Sequence, residues 1–112
     1  MARISFSNEQ LVQVRALPLL GILGKLKADG TLFWRRDVDF VPEKDSRTMR
    51  LFISAPSGSA WEILVTGPKW YDYRAGKGGG GGIDLVMYLL NLDFVTAVTL
   101  LLKYVDMAGQ AR

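Results

Sequence analysis

The spacing of apolar residues divides this chain into three stretches. Between Asn8 and Leu26 they fall in helical groups: Leu11, Val12 and Val14, then Leu19, Leu20, Ile22, Leu23 and Leu26. Ser7 and Asn8 are N-cap candidates for the first group. Pro18 ends that helix and suits the first turn of a second. Gly21 and Gly24 weaken the second helix by roughly 1 kcal/mol each relative to Ala, so close packing against a neighbour is expected there. Asp29-Gly30 marks a turn.

The middle stretch shortens its period toward two. Thr31–Phe40 alternates imperfectly, and residues 41–48 form a polar connection containing Pro42. Met49–Ser54 and Trp61–Thr66 read as strands around the turn Pro56-Ser57-Gly58-Ser59. Gly67-Pro68 is a tight turn into a further strand, Lys69–Arg74. This order predicts an antiparallel meander.

The helical period returns after five successive glycines, Gly78 to Gly82. Ile83, Val86, Met87 and Leu90 follow the i, i+3, i+4, i+7 pattern. Asn91 stops that helix and Asp93 caps the next, whose expected buried stripe is Phe94, Val95, Val98, Leu101, Leu102 and Val105. The last six residues, MAGQAR, are expected to fray. The chain therefore reads as one α+β domain over residues 1–112. Helices occupy about 8–26, an antiparallel sheet of about three to five strands spans about 31–75, a glycine loop covers 76–82, and helices occupy about 83–107.

Composition narrows the chemistry. With 112 residues, 49% of them apolar, the chain supports a single core. A net charge of +3 permits polyanion binding without demanding it. There is no cysteine and no histidine. Thiolate nucleophiles, disulfides and the usual zinc ligands are thereby excluded, so neither metal nor cofactor is expected. The opening MARISFSNEQ lacks an apolar core for a signal peptide. No uninterrupted apolar run approaches the ~20 residues of a membrane span. A cytoplasmic protein without a membrane partner is the expectation.

Three features carry candidate chemistry. A glycine run that ends at a helix N-terminus exposes backbone N–H groups, and Gly78, Gly79 and Gly80 beside Lys77 are candidates for phosphate contact. A flexible connector accounts for the same run. Lys77 is followed by Gly78 and not by Ser or Thr, so this is not a nucleotide P-loop. The strand KWYDYR is the second feature. With a period of two, Lys69, Tyr71 and Tyr73 share one face, and Trp70, Asp72 and Arg74 share the other. Rings beside cations can stack bases and hold phosphates; one face can equally pack in the core. Third, Arg35 and Arg36 beside Trp34 form the best basic cluster outside the glycine loop. Asp37 and Asp39 could share a strand face, but no third acid at a suggestive spacing supports catalysis, and no enzyme activity is expected.

The order Trp70-Tyr71-Asp72-Tyr73-Arg74-Ala75-Gly76, then the glycines, then Ile83-Asp84-Leu85-Val86-Met87, then Leu92-Asp93-Phe94-Val95-Thr96-Ala97-Val98 is familiar. It resembles the zinc-ribbon domain at the N-terminus of bacterial DnaG-type primases (the CHC-type zinc-finger family) and of related plasmid and phage replication proteins. The likeness covers about a third of the chain well. Asp72 and Ala75 fall where that family has its Cys-x-x-Cys knuckle, and the upstream Cys and His ligands are missing. The resemblance thus implies a zinc-free version of the fold. It also implies an accessory role: contact with single-stranded DNA template during plasmid, phage or mobile-element replication, through Trp70, Tyr71, Tyr73, Arg74 and Lys77. A second reading is a protein-interaction module that docks on a primase, helicase or relaxase and has lost DNA binding.

Overall fold

The structure, a computed structural model, describes residues 5–110, with side chains described as far as Asp106. The first four residues of the segment read for a signal peptide lie outside it, as do the last two of the tail. Two helices, α1 (Asn8–Arg15) and α2 (Leu19–Ala28), precede five strands: β1 (Phe33–Arg36), β2 (Met49–Ser54), β3 (Ala60–Thr66), β4 (Lys69–Asp72) and β5 (Lys77–Gly79). Helices α3 (Gly82–Leu90) and α4 (Phe94–Gln110) follow. The fold is α+β, with the strands in sequence order β1-β2-β3-β4-β5 and every neighbouring pair antiparallel.

Local chemistry sets most boundaries. Ser7 caps α1 through a reciprocal box: its hydroxyl accepts the Gln10 N–H, and the Gln10 side chain accepts the Ser7 N–H. Pro18 stands at the N-cap of α2, one position before the first turn where it was expected. Asn91 ends α3 in the left-handed region at φ 55°, a conformation Asn tolerates better than most residues. Asp93 Oδ1 then accepts the Thr96 N–H at 2.8 Å and starts α4. The two-residue Gly67-Pro68 connection between β3 and β4 needs positive φ at its first position only, and Gly67 supplies it at 58°.

The helices gather on one side of the sheet: α2 packs on β1 and α3 on β5, and α1 and α4 pack on the other helices. Leu51 and Ile53 of β2, Ile63 and Val65 of β3 and Trp70 of β4 point into them. There they meet Ile22, Leu23 and Leu26 of α2, Leu85, Val86 and Leu89 of α3, and Val98 and Leu101 of α4. Trp34 also turns inward and donates its indole N–H to the Leu23 carbonyl at 2.9 Å. Among the described residues no single helix is long and apolar enough to cross a membrane.

Several sequence expectations shift. β1 occupies only the centre of the stretch read as Thr31–Phe40. In α3 the buried positions are Leu85, Val86 and Leu89, with Ile83, Met87 and Leu90 half-buried at the margins. In α4 the buried stripe is Ala97, Val98, Leu101 and Tyr104, and Phe94 stays exposed against Phe6 in an edge-on pair. The helix continues to Gln110, through most of the tail expected to fray. Around Gly24 there is open space where a close neighbour was expected.

Candidate nucleic-acid interface

A sheet covered on one side presents its other side to solvent. The register identifies what stands there: Phe33 and Arg35 from β1, Arg50 and Phe52 from β2, Glu62 and Leu64 from β3, Lys69 and Tyr71 from β4, and Gly78 from β5. Phe33 is 59% exposed and Tyr71 46%. β4 ends at Asp72, yet the Tyr73 ring still reaches the same face, where its hydroxyl donates to Glu62 Oε2.

Cations lie on these rings. The Arg35 guanidinium sits 4.4 Å from the Phe52 centroid, and that of Arg50 sits 5.2 Å from Phe52 and 5.4 Å from Tyr73. Arg50 is also tied to Glu62 and lies 3.8 Å from Asp37. Arg74 approaches Glu62 at 3.5 Å. Glu62 is thus the central acid of the face. The Tyr73 hydroxyl, and after it the Arg50 guanidinium, hold its carboxyl below the usual carboxylate range. The same bond to Glu62 raises the Tyr73 hydroxyl above the ordinary tyrosine value. Among the described residues, Arg35, Arg36, Lys69 and Lys77 have no acidic partner within ion-pair distance.

The ridge of Arg50, Glu62 and Tyr73 separates two hollows. One, of about 230 Å³, is bounded by Phe33, Arg35, Phe52 and Arg74. The other, of about 700 Å³, lies between Leu64, Tyr71 and Gly78 and the β1–β2 connection.

The residues singled out in the sequence divide between the two sides of the sheet. Arg35, Lys69, Tyr71, Tyr73, Arg74 and Gly78 come together on the open face or reach it. Arg74 departs from the simple alternation because the chain has already left β4 and turns through Gly76 at φ 69°. Trp34, Arg36, Trp70, Lys77 and Gly79 belong by register to the helix side. Trp70 is withdrawn from the candidate surface. It is 5% exposed and stacks on Tyr88 of α3, centroids 5.2 Å apart and planes at 25°. Gly80 lies beyond β5, exposed at the approach to α3.

The glycine run is only partly a loop. Gly78 and Gly79 pair with Tyr71 and Trp70 as strand β5, and side chains there have no room. A Cβ on Gly78 would lie 2.8 Å from both the Trp70 carbonyl oxygen and Tyr71 Cδ1. One on Gly79 would lie 2.8 Å from Trp70 Nε1. A Cβ on Gly82 would collide with Ile22 Cδ1 in the core. Backbone and ring contacts therefore require glycine at Gly78 and Gly79, and a side chain at Gly82 would displace Ile22 in the core. At the start of α3, Asp84 already supplies a negative charge in the first turn.

The buried Asp72 fixes the turn between β4 and β5. Its Oδ1 accepts the N–H groups of Arg74 at 3.1 Å and Ala75 at 3.2 Å. Its Oδ2 accepts the Tyr88 hydroxyl at 2.6 Å. That bond, helped by burial, pushes the Tyr88 hydroxyl up to about 12.

Phe33 and Phe52 were not singled out by sequence reasoning. The alternation of Met49–Ser54 contains the signal for Phe52: with Leu51 and Ile53 inward, Phe52 and Arg50 face outward. No family model, curated protein or solved structure matches this chain.

Proposed function

We propose that this protein is a non-catalytic accessory that binds single-stranded DNA on the open face of its sheet. The observation that carries the reading is the combination, on one bare face, of exposed rings and cations that have no acidic partner among the described residues. Phe33 and Tyr71 are three strand spacings apart across the sheet and four residues apart in register, a diagonal of about 20 Å at ordinary sheet dimensions. An unpaired strand laid across them has flat surfaces for its bases and Arg35 and Lys69 for its phosphates. Stacking and charge together favour single strands with little sequence preference.

The setting in plasmid, phage or mobile-element priming rests on the primase zinc-ribbon resemblance. The knuckle-equivalent residues do not fit a zinc ion. Asp72 already has three hydrogen-bond donors on its two oxygens, and Ala75 has no ligating side chain. Hydrogen bonds join the turn to α3 at the place where the resemblance puts a metal.

A second reading, docking on a primase, helicase or relaxase, draws support from the β1–β2 connection. Val38 is 85% exposed and Val41 78%, apolar side chains that a protein partner would cover.

The deciding experiment is a fluorescence-anisotropy titration with a labelled single strand of ~25 nucleotides, beside the matching duplex, at two salt concentrations. Single-strand binding that weakens with salt and falls in Phe33→Ala, Arg35→Ala and Tyr71→Ala is the expected result. No binding at low salt would sink the proposal and favour the docking reading.

A further inference from the structure

The two hollows of the open face differ in kind. The smaller lies between rings and guanidinium groups. The larger has a built wall. The β1–β2 connection folds back on itself: the Asp37 N–H bonds the Arg50 carbonyl at 2.8 Å, and the Asp39 N–H bonds Asp37 Oδ1 at 3.1 Å. Further along, the Thr48 N–H bonds the Asp45 carbonyl at 3.0 Å, and the Thr48 and Thr66 hydroxyls meet at 2.7 Å. These bonds anchor the two ends of the connection, and between them Val41 and Pro42 line the hollow together with Leu64, Thr66 and Tyr71.

The floor is equally specified. Gly78 lies directly across from Tyr71, and its missing Cβ leaves the place that the Tyr71 ring edge approaches. The ring is thereby supported from the β5 side and still 46% exposed. The volume, about 700 Å³, falls within the range of small-molecule sites, and the lining is predominantly apolar. At the rim stand Lys69 and Lys44, neither with an acidic partner among the described residues. Of the two acids nearby, Asp45 is engaged by Arg47 at 2.9 Å, which holds its carboxyl down to about 2. Glu43 is the remaining negative charge.

An apolar slot with an aromatic wall suits a planar ring, and a cationic rim suits an anionic group attached to that ring. A nucleotide has both. We infer that the larger hollow takes one unstacked base of the bound strand, with its phosphate at Lys69. This rests on the open-face reading above and adds to it: the smaller hollow supplies a stacking surface, whereas the larger one has the volume and the apolar lining to take a base between the β1–β2 connection and Tyr71. A strand crossing the face changes from stacked to inserted as it passes the Arg50–Glu62–Tyr73 ridge.

The test uses the full chain and single-stranded hexanucleotides in which 2-aminopurine replaces one base at successive positions. Anisotropy reports binding, and 2-aminopurine emission reports insertion. Val41→Glu places a charge on the wall at an exposed position, and Lys69→Ala removes the rim cation. Phe33→Ala alters the opposite hollow. For the unaltered protein, emission should change sharply at one position of the hexanucleotide. Val41→Glu and Lys69→Ala should each weaken binding about 5- to 100-fold and erase that positional signal. Phe33→Ala should weaken binding and leave the signal in place. If the hexanucleotide binds and responds to Phe33→Ala but not to Val41→Glu, the inserted base is refuted while open-face binding survives. If no single strand binds at all, both fall.

Discussion

The two faces of this sheet are built from the same strands and have opposite characters. On the helix side, Leu51, Ile53, Ile63 and Val65 are sealed from water. One residue away along each strand, Arg50, Phe52, Glu62 and Leu64 look outward. The inward set is aliphatic, and it is held in place by shape. The outward set mixes rings with charges, and its geometry is held by cation–ring and ion-pair contacts around Glu62. Phe33 and Tyr71 stand exposed on the outward side, beside Arg35 and Lys69, and the proposed single-strand contact rests on that pairing. The comparison teaches that aromatic residues in this chain have two roles, separated by a single step in the strand: Trp70 builds the core and Tyr71 faces out.

The sharpest way to break the comparison is to truncate those two neighbours in turn. Trp70→Ala should lose about 3–5 kcal/mol of stability, because a buried ring stacked on Tyr88 leaves a large cavity. Tyr71→Ala should change stability by well under half of that. It should instead lower single-strand affinity by about 1–3 kcal/mol, the stacking contribution of one base. Urea denaturation and anisotropy on both variants check the pair. Equal losses of stability would mean that the two faces are not energetically distinct.

A smaller effect is expected at the bond between α3 and the β4–β5 turn. Tyr88→Phe should cost about 1.5–3 kcal/mol, since it removes a donor from a buried carboxylate. The pH dependence has a defined sign. Tyr88 titrates near its ordinary value of 10 when unfolded and at about 12 when folded. Its contribution is therefore complete below pH 10 and is lost as pH rises from 10 to 12. Tyr104, raised to about 12 mainly by burial and then by Asp29, acts in the same direction. Thermal midpoints at pH 8, 10 and 11 should fall for the natural sequence and fall less steeply in Tyr88→Phe. Smallest of all, Gly24→Ala should stabilise the helix side by up to about 1 kcal/mol, because open space surrounds that position. A loss of stability there would point to a neighbour the helix needs.

Much of the scaffold could be read from the residues themselves. Met49–Ser54 and Trp61–Thr66 are short apolar, strand-favouring runs bounded by turn residues, Gly67-Pro68 marks the hairpin, and Ser7, Asn91 and Asp93 mark helix ends by the hydrogen bonds their side chains or backbones make. Gly78-Gly79 could not be read as a strand, because glycine has little strand preference of its own. Its pairing is dictated from across the ladder, where Trp70 and Tyr71 leave no space for a side chain. The α4 stripe was displaced for a related reason. Ala97 is small and Tyr104 carries a hydroxyl, so neither stands out as apolar, yet both are buried, Tyr104 with its hydroxyl on Asp29. The open face was half legible. Alternation placed Lys69, Tyr71 and Tyr73 together, whereas Phe33 and Arg35 join them only through the register of β1 on β2.

The sequential order of the strands also bears on how the molecule assembles in time. Each strand finds its partner across a connection to the next strand in the chain, so the meander requires few distant encounters. Its hairpins belong to the class that closes in microseconds. The bond from Tyr104 to Asp29 spans 75 residues, and the packing of α1 on α4 spans more. Such distant closures carry the larger entropic penalty. The sheet should therefore gain its pairing first and the terminal helices should dock last. Pulsed hydrogen exchange would show this as early protection in β2 and β3 and late protection in α1; simultaneous protection would mean that the helices are needed to hold the sheet from the start.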